Sequence, residues 1–172
     1  MSTNAKLESA RQSVRTAMVA LDAAESAGEP ARLSQCLAQA GQRFREAGAL
    51  AEAAWYAQRG LQLARSLSAV DASVDALCEL AELAFERSTR FDEVDEPRGA
   101  ERLRDNARDH GFEAAQLALR SADPQWEITV LLRVSDLFDR LGDHDDAVAL
   151  PCRAVGPMTR AMAGAVDFLK PA

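Results

Sequence analysis

The chain has 172 residues, of which 48% are hydrophobic, and it carries a net charge of −7 with a pI near 4.9. This length suits one domain with a sizeable core. The negative charge argues against nucleic acid or an anionic membrane as the main partner, because both require a basic surface. The 35 alanines and the scarcity of alternating β-branched segments predict an all-α protein.

The first amphipathic pattern covers residues 3–27. Leu7, Val14, Met18 and Leu21 recur there at helical spacing, and a glycine and a proline follow the last of these turns. An amphipathic helix cannot bury its own apolar stripe. We therefore expect this helix to pack on the next one and to begin a stack of helices.

Two further helices are predicted at about 30–47 and 49–67, around the stretch AGQRFREAGALAEAAWYAQRGLQL. The small pair Ala40-Gly41 permits close approach of two helices, and Phe44 is expected to fill the gap between them. Gly48 suits the left-handed backbone position that ends a helix and begins a tight turn. This stretch therefore predicts a helix-turn-helix unit.

The same order of residues returns in VSDLFDRLGDHDDAVALPCRAV, residues 134–155, where Phe138 and Gly142 take the positions of Phe44 and Gly48. Both stretches resemble tetratricopeptide (TPR) repeats, which are helix-turn-helix units that stack into a right-handed α-α superhelix. The resemblance implies a TPR-like solenoid that serves as a binding scaffold. It does not specify the partner.

A single domain of three repeats follows from these patterns, at about 30–67, 70–121 and 124–155. The first helix of the middle repeat is predicted at about 70–88. No glycine follows it, and the acidic run STRFDEVDEPR predicts an insertion near 89–98.

The later part of the chain holds three features that bear on helix continuity. Gly111 is expected to bend or interrupt the second helix of the middle repeat. Pro151 is expected to kink the last repeat. A terminal helix is predicted at about 157–169, which either caps the open end of the stack or forms a homodimer contact.

Residues with catalytic or metal-binding chemistry do not form a recognisable motif. Asp139, Asp143 and His144 lie in the only dense cluster of metal-like residue types, but its spacing is not that of a calcium loop, and capping of the next helix explains its acidic residues. Cys36 and Cys78 lie in apolar patterns and are expected to be buried. We predict no catalytic residue, no metal, no cofactor and no enzymatic activity.

The expected binding surface is the concave groove, which the first helix of each repeat lines in TPR proteins. Carried over by position, the resemblance implies a set of groove residues on three helices: Gln35, Gln42, Arg45, Ala76, Glu79, Leu83, Glu86, Thr129, Leu132, Asp136 and Asp139. This acidic and partly apolar set favours a basic or amphipathic segment of another protein. Ordinary solvated helix faces are the alternative interpretation of the same residues.

The predicted function is therefore protein–protein interaction, as a scaffold, adaptor or regulatory module. One alternative is a small acidic secretion-type chaperone, which such a chain resembles in length and layout. Another is a ligand-binding sensor or enzyme in which the acidic segment 89–96 forms a lid. The start of the chain lacks the apolar run of a signal peptide, so a cytoplasmic location is expected. The alanine-rich composition is typical of a high-GC bacterium.

Overall fold

The computed structural model describes residues 3–150 and 152–153, with side chains from Glu8 onward. The expectations for Pro151 and for a helix at 157–169 lie outside the described residues. Within the described part every regular element is a helix, which confirms the all-α class. The helices are α1 (Thr3–Ala27), α2 (Pro30–Glu46), α3 (Leu50–Ser66), α4 (Val70–Glu93), α5 (Pro97–Ala118) and α6 (Pro124–Leu141), and residues 144–150 form a further helical segment, α7.

The helices stack as a solenoid. Each of α1 to α5 packs on the helix that follows it. Contacts also join α2 to α4 and α4 to α6, whereas α3 and α5 stand farther apart and meet through long side chains, such as the ion pair between Arg65 and Glu113. The helices α2, α4 and α6 approach one another more closely than α3 and α5 approach each other. The concave side of the solenoid is therefore the side of α2, α4 and α6. This confirms the predicted architecture of helical hairpins.

Four helix ends share one hydrogen-bonding arrangement. After α2, the amide of Ala49 donates to the carbonyl of Phe44, with Gly48 left-handed at φ 79° between them. The end of α6 repeats this around Gly142, at φ 83°. The ends of α3 and α4 make the same bonds with Ser68 and Asp95 in the left-handed position. Two turns therefore form without the glycine that the sequence pattern required.

The middle hairpin departs from the predicted insertion. Residues 89–93 continue α4, the turn is confined to residues 94–96, and α5 begins at Pro97. The added length is helical because the two helices bury it between them: the ring of Phe91 packs directly against Gly99. Arg104 also forms an ion pair with Asp92 across the hairpin. The predicted end of the first helix at about residue 88 was therefore too early, since the added residues lengthen two paired helices.

The core is formed by the apolar faces of the stacked helices. Leu37, Leu61, Leu77, Leu131 and Phe138 are each no more than 1% exposed. The predicted contact of the first helical pair is also present, because the ring of Phe44 stacks on that of Tyr56 of α3 at a centroid distance of 5.1 Å. Both cysteines that were expected to be buried are buried.

Gly111 neither bends nor ends α5, contrary to expectation, because the helix continues to Ala118. It is buried against α6, and a Cβ atom at this position would lie 2.9 Å from the ring of Phe138. Gly111 therefore marks a close contact between two helices and not a helix break.

Replacing Gly111 by alanine should lower the free energy of unfolding by about 1–2 kcal/mol, because overpacking against a buried ring outweighs the gain in helix propensity. Gly60 provides the control: a Cβ there would meet only Leu37, at 4.0 Å, so Gly60→Ala should stabilise by about 0.5–1 kcal/mol. Urea denaturation of both variants measures the difference. Equal stabilisation by the two substitutions would contradict the close-packing role.

Candidate functional site

A cavity of about 440 Å³ opens on the concave side between α2 and α4, with α3 beneath it. Its volume lies within the range of about 300–1,000 Å³ that is usual for binding pockets. We call it the α2–α4 cavity. It is lined by Ser34, Gln35, Ala38, Gly41, Gln42 and Arg45 of α2, Tyr56, Ala57 and Gly60 of α3, Ala72, Asp75, Ala76 and Glu79 of α4, and Arg133 of α6.

Small residues give this cavity its depth. Gly41, Ala57 and Gly60 contribute its base, and Ala38 and Ala76 stand on its opposite sides. Since none of these side chains extends beyond a Cβ atom, α2 and α4 leave space above α3 instead of filling it. The result is a narrow apolar floor between two polar helix faces.

An arginine–glutamate cluster closes one end of the cavity and joins the three concave helices. Arg45 of α2 contacts Glu79 at 3.1 Å, Glu82 at 2.9 Å and Glu86 at 3.0 Å on α4. Arg133 of α6 completes the cluster, with its Nε donating to Glu82 at 2.6 Å and a longer contact to Glu79 at 3.6 Å. We use the name cluster for these five residues.

The cluster is partly removed from water, which strengthens its electrostatics. The side chain of Glu82 is only 15% exposed. Burial alone would raise the pKa of this carboxyl, but hydrogen bonds and charge from Arg133 and Arg45 outweigh burial and lower the pKa. Burial alone would likewise lower the pKa of Arg45, and its bonds to the three carboxylates raise it instead. These contacts therefore favour the charged forms of Glu82 and Arg45.

Asp75 stands one turn of α4 before Glu79, on the wall of the cavity. No other described residue forms a hydrogen bond or an ion pair with it, although its side chain remains accessible to solvent. Burial raises its pKa, the charge of Arg133 lowers it, and the charge of Asp71 raises it further, with a net increase. A solvent-exposed carboxylate without a hydrogen-bond or ion-pair partner among the described residues thus lines the cavity.

The structure brings together only part of the predicted groove set. Gln35, Gln42, Arg45, Ala76 and Glu79 line the cavity, and Glu86 belongs to the cluster.

The placement of Leu83 was wrong, because this side chain is 0% exposed and lies in the core. Leu83 follows Glu79 by one helical turn and so lies on nearly the same side of α4, but at this level of the helix it is packed into the main core cluster.

Two predicted residues of α6 also lie outside the α2–α4 cavity. Asp136 is exposed and forms an ion pair with Arg140 on its own helix, and Asp139 is exposed and contacts His144 at 2.9 Å. Arg133 is the residue of α6 that faces the cavity. The predicted positions were offset because the repeat pattern did not fix the rotation of α6 about its axis.

Sequence reasoning missed Glu82, Arg133 and Asp75. The run of Glu79, Glu82 and Glu86 at spacings of three and four residues was a usable signal, because it places three carboxylates on one helix face. Such a face requires basic partners from neighbouring helices. Which arginines supply them depends on helix packing and could not be read from the chain.

A second, shallower cavity of about 330 Å³ lies on the outer side, where α3 and α5 flank α4. Trp55 of α3 lines it together with Leu103 and His110 of α5. Trp55 is 55% exposed, and the guanidinium of Arg59 lies 5.0 Å from its ring. Burial lowers the pKa of His110. Gln58, Arg87 and Asn106 are its other polar lining residues.

The acidic turn after α6 is held by protein contacts. The carboxylate of Asp143 accepts a hydrogen bond of 2.8 Å from Arg108 instead of capping the helical segment that begins at His144. Among the described residues, no group of three or more metal-ligating side chains is placed to hold an ion. None of the described helices combines the length and apolar character needed to cross a membrane.

The fold defines a helical-repeat protein. No family model matches the chain, and no curated protein matches it. Among solved structures it is similar to the DHF58 filament, at 20% identity and a TM-score of 0.47, covering 91% of this chain and 82% of that one. The de novo designed helical repeat protein DHR64 is similar at 20% identity and a TM-score of 0.47, with coverage of 91% and 83%. The assignment to helical-repeat proteins rests on the stacked helices described above.

Proposed function

We propose that this chain is a non-catalytic protein–protein interaction module whose α2–α4 cavity holds a short segment of another protein. The observation that carries the proposal is the cavity itself, which lies on the concave side and combines an apolar floor with polar walls. Ligand sites commonly pair a mostly apolar surface with a few orienting polar groups. A scaffold, adaptor or regulatory role follows from such binding.

The walls are suited to a polypeptide. The amide of Gln35 has no intramolecular hydrogen bond within the described part of the chain, and the Nε2 of Gln42 donates only to Glu46. Side-chain amides of this kind can bond the N–H and C=O groups of an extended segment. The Ala and Gly floor leaves room for one side chain of that segment at a time.

The groups near the cavity are poorly arranged for catalysis, which supports the non-catalytic part of the proposal. The arginines and glutamates of the cluster are bonded to one another. Cys78, on the neighbouring face of α4, is 3% exposed, and burial raises the pKa of its thiol to about 11. That thiol stays protonated near neutral pH and is a poor nucleophile.

We extend the proposal to family and location. Two glycine turns, after α2 and α6, support a TPR-like identity. In both places the same order of small residue, aromatic residue and glycine recurs within this chain. A cytoplasmic protein of a high-GC bacterium fits the alanine-rich, acidic composition. The terminal segment beyond the described residues is proposed either to cap the stack or to mediate a homodimer.

Selection of short random peptides by phage display against the purified chain tests the function. Ala38→Trp places a large ring in the cavity from an exposed position of α2, and peptides selected on the unmodified protein should bind this variant at least about tenfold more weakly. Ala23→Trp, at an exposed position of α1, is the matched control and should leave affinity unchanged.

Circular dichroism and thermal melting confirm that both variants are folded before binding is compared. Failure of the selection to enrich any peptide would contradict the proposed function. Enriched peptides that bind Ala38→Trp and the unmodified protein equally would show that the α2–α4 cavity is not the site.

A further inference from the structure

We infer that the bound segment presents a lysine or arginine side chain to the α2–α4 cavity, and that Asp75 binds its charged end. This inference rests on the proposed function and specifies its ligand. It makes Asp75 the residue that determines specificity.

The distribution of charge points to a cation. Within the cluster, both arginines are engaged by glutamates, and the three glutamates outnumber the two arginines. Asp75 adds a further negative charge to the same wall and has no ion-pair partner in the part of the chain that the structure describes. The charged residues that line the cavity itself, Arg45, Asp75, Glu79 and Arg133, balance one another. With Glu82 and Glu86 of the cluster, the surroundings carry two more negative than positive charges, and the carboxylate of Asp75 remains available to an incoming group.

The shape of the cavity fits the same ligand. Lysine and arginine have long aliphatic stems that pack on apolar surface while the charged head reaches a polar group. The floor of Ala57 and Gly60 offers such a surface, and Asp75 stands on the wall above it. The hydroxyl of Ser34 and the amide oxygen of Gln35, on the facing wall, can accept the remaining hydrogen bonds of the cation.

Other ligand chemistries fit less well. An acidic side chain would meet the excess negative charge of Asp75 and the cluster, and repulsion would weaken its binding. An apolar side chain would bury Asp75 further without giving it a partner, which carries a desolvation cost. Of these three classes of side chain, only a basic one forms a favourable contact with the carboxylate of Asp75.

The folded protein keeps Asp75 charged at a cost to its own stability. The charged groups around it are Asp71 and Glu79 on α4, Arg45 on α2 and Arg133 on α6, while α3 contributes only the neutral phenol of Tyr56. Their combined effect with burial raises the pKa of Asp75, so folding disfavours its ionised form. Binding sites frequently retain such unfavourable groups because function requires them.

The test uses short synthetic peptide libraries that are blocked at both ends. One central position is fixed as Lys, Arg, norleucine or Glu, and the flanking positions vary among Ala, Gly, Leu and Ser. We expect the Lys and Arg libraries to bind the full chain about fivefold more tightly than the norleucine library, in keeping with a solvent-accessible ion pair. High salt should reduce that preference.

Asp75→Asn should abolish the preference for Lys and Arg while leaving the binding of the norleucine library unchanged. Asp71→Asn is the matched control, because Asp71 is exposed one turn earlier on α4 and does not line the cavity, and it should keep most of the preference. Asp75→Asn should also show a slightly higher Tm at neutral pH, since it removes a charge that folding disfavours.

The outcomes separate this inference from the proposed function. Equal binding of all four libraries, lost in Ala38→Trp, would retain the peptide site and overturn the role of Asp75. Preference for Glu, or a Lys preference that survives in Asp75→Asn, would also overturn it. A lower Tm for Asp75→Asn would show that Asp75 has a structural role instead. No binding by any library would overturn both proposals.

Discussion

Phe138→Ala is expected to lower the free energy of unfolding by about 3–5 kcal/mol, the usual cost of truncating a buried aromatic side chain. Phe138 is 0% exposed and lies in the main core cluster, where its ring packs against Gly111 of α5. The cavity left by its ring would open between α5 and α6. Because whole domains are stable by only about 5–15 kcal/mol, this one change should remove a large share of the total.

Urea denaturation followed by circular dichroism measures the effect, with Phe112→Ala as the control. The ring of Phe112 lies 4.7 Å from that of Phe138 but is on the surface, where the residue is 39% exposed. Its truncation should cost only about 1 kcal/mol, in proportion to the smaller apolar area that it buries. Similar losses for the two variants would contradict the central position of Phe138.

Arg45→Ala is expected to destabilise the fold by about 1–3 kcal/mol, because it leaves partly buried carboxylates without their partner. The side chain of Arg45 is 25% exposed and bonds three glutamates of α4, so its removal leaves only Arg133 to balance their charge. Arg43→Ala is the control. Arg43 pairs only with Glu46 of its own helix, in an exposed position, and should contribute no more than about 0.5 kcal/mol.

A pH series gives this prediction a second readout. The folded pKa of Glu82 lies below its ordinary value of 4.5, so its contribution to stability is present above pH 4.5 and is lost as the pH falls through the folded pKa. Removing Arg45 takes away part of what lowers that pKa. Arg45→Ala should therefore lose less stability on acidification than the unmodified protein or Arg43→Ala. An unchanged acid slope would show that Arg45 does not stabilise the charged form of Glu82.

The two aromatic residues of the repeats show what the sequence pattern predicts and what it leaves open. Phe44 and Phe138 occupy equivalent positions before a helix-ending glycine, and both face a neighbouring helix as the pattern predicted. Only Phe138 is fully buried, whereas Phe44 stacks on Tyr56 in a half-buried position. Local spacing identified the face, but the depth of burial depends on how many helices cover that face.

In the long middle hairpin, the end of the first helix could not be predicted from turn residues. Asp95 adopts the left-handed conformation that the pattern assigns to glycine, so the end of α4 had no clear mark in the sequence. The extra helical length is stable because Phe91 and Gly99 pack across the hairpin. A contact between two helices therefore decided a boundary that local propensity left open.

The sequence by itself determined the all-α class, the helical hairpins, most helix starts and the apolar stripes, because these depend on periodicity and on residues close in the chain. Tertiary structure alone decided which residues form the candidate site. Arg45, Glu82 and Arg133 belong to three helices, and Asp75 differs from the glutamates of the cluster because no other described residue forms an ion pair with it. Such pairing depends on how each helix is rotated about its axis and how far apart the packed helices lie. Residue periodicity predicts which face of a helix is buried, but not these two quantities.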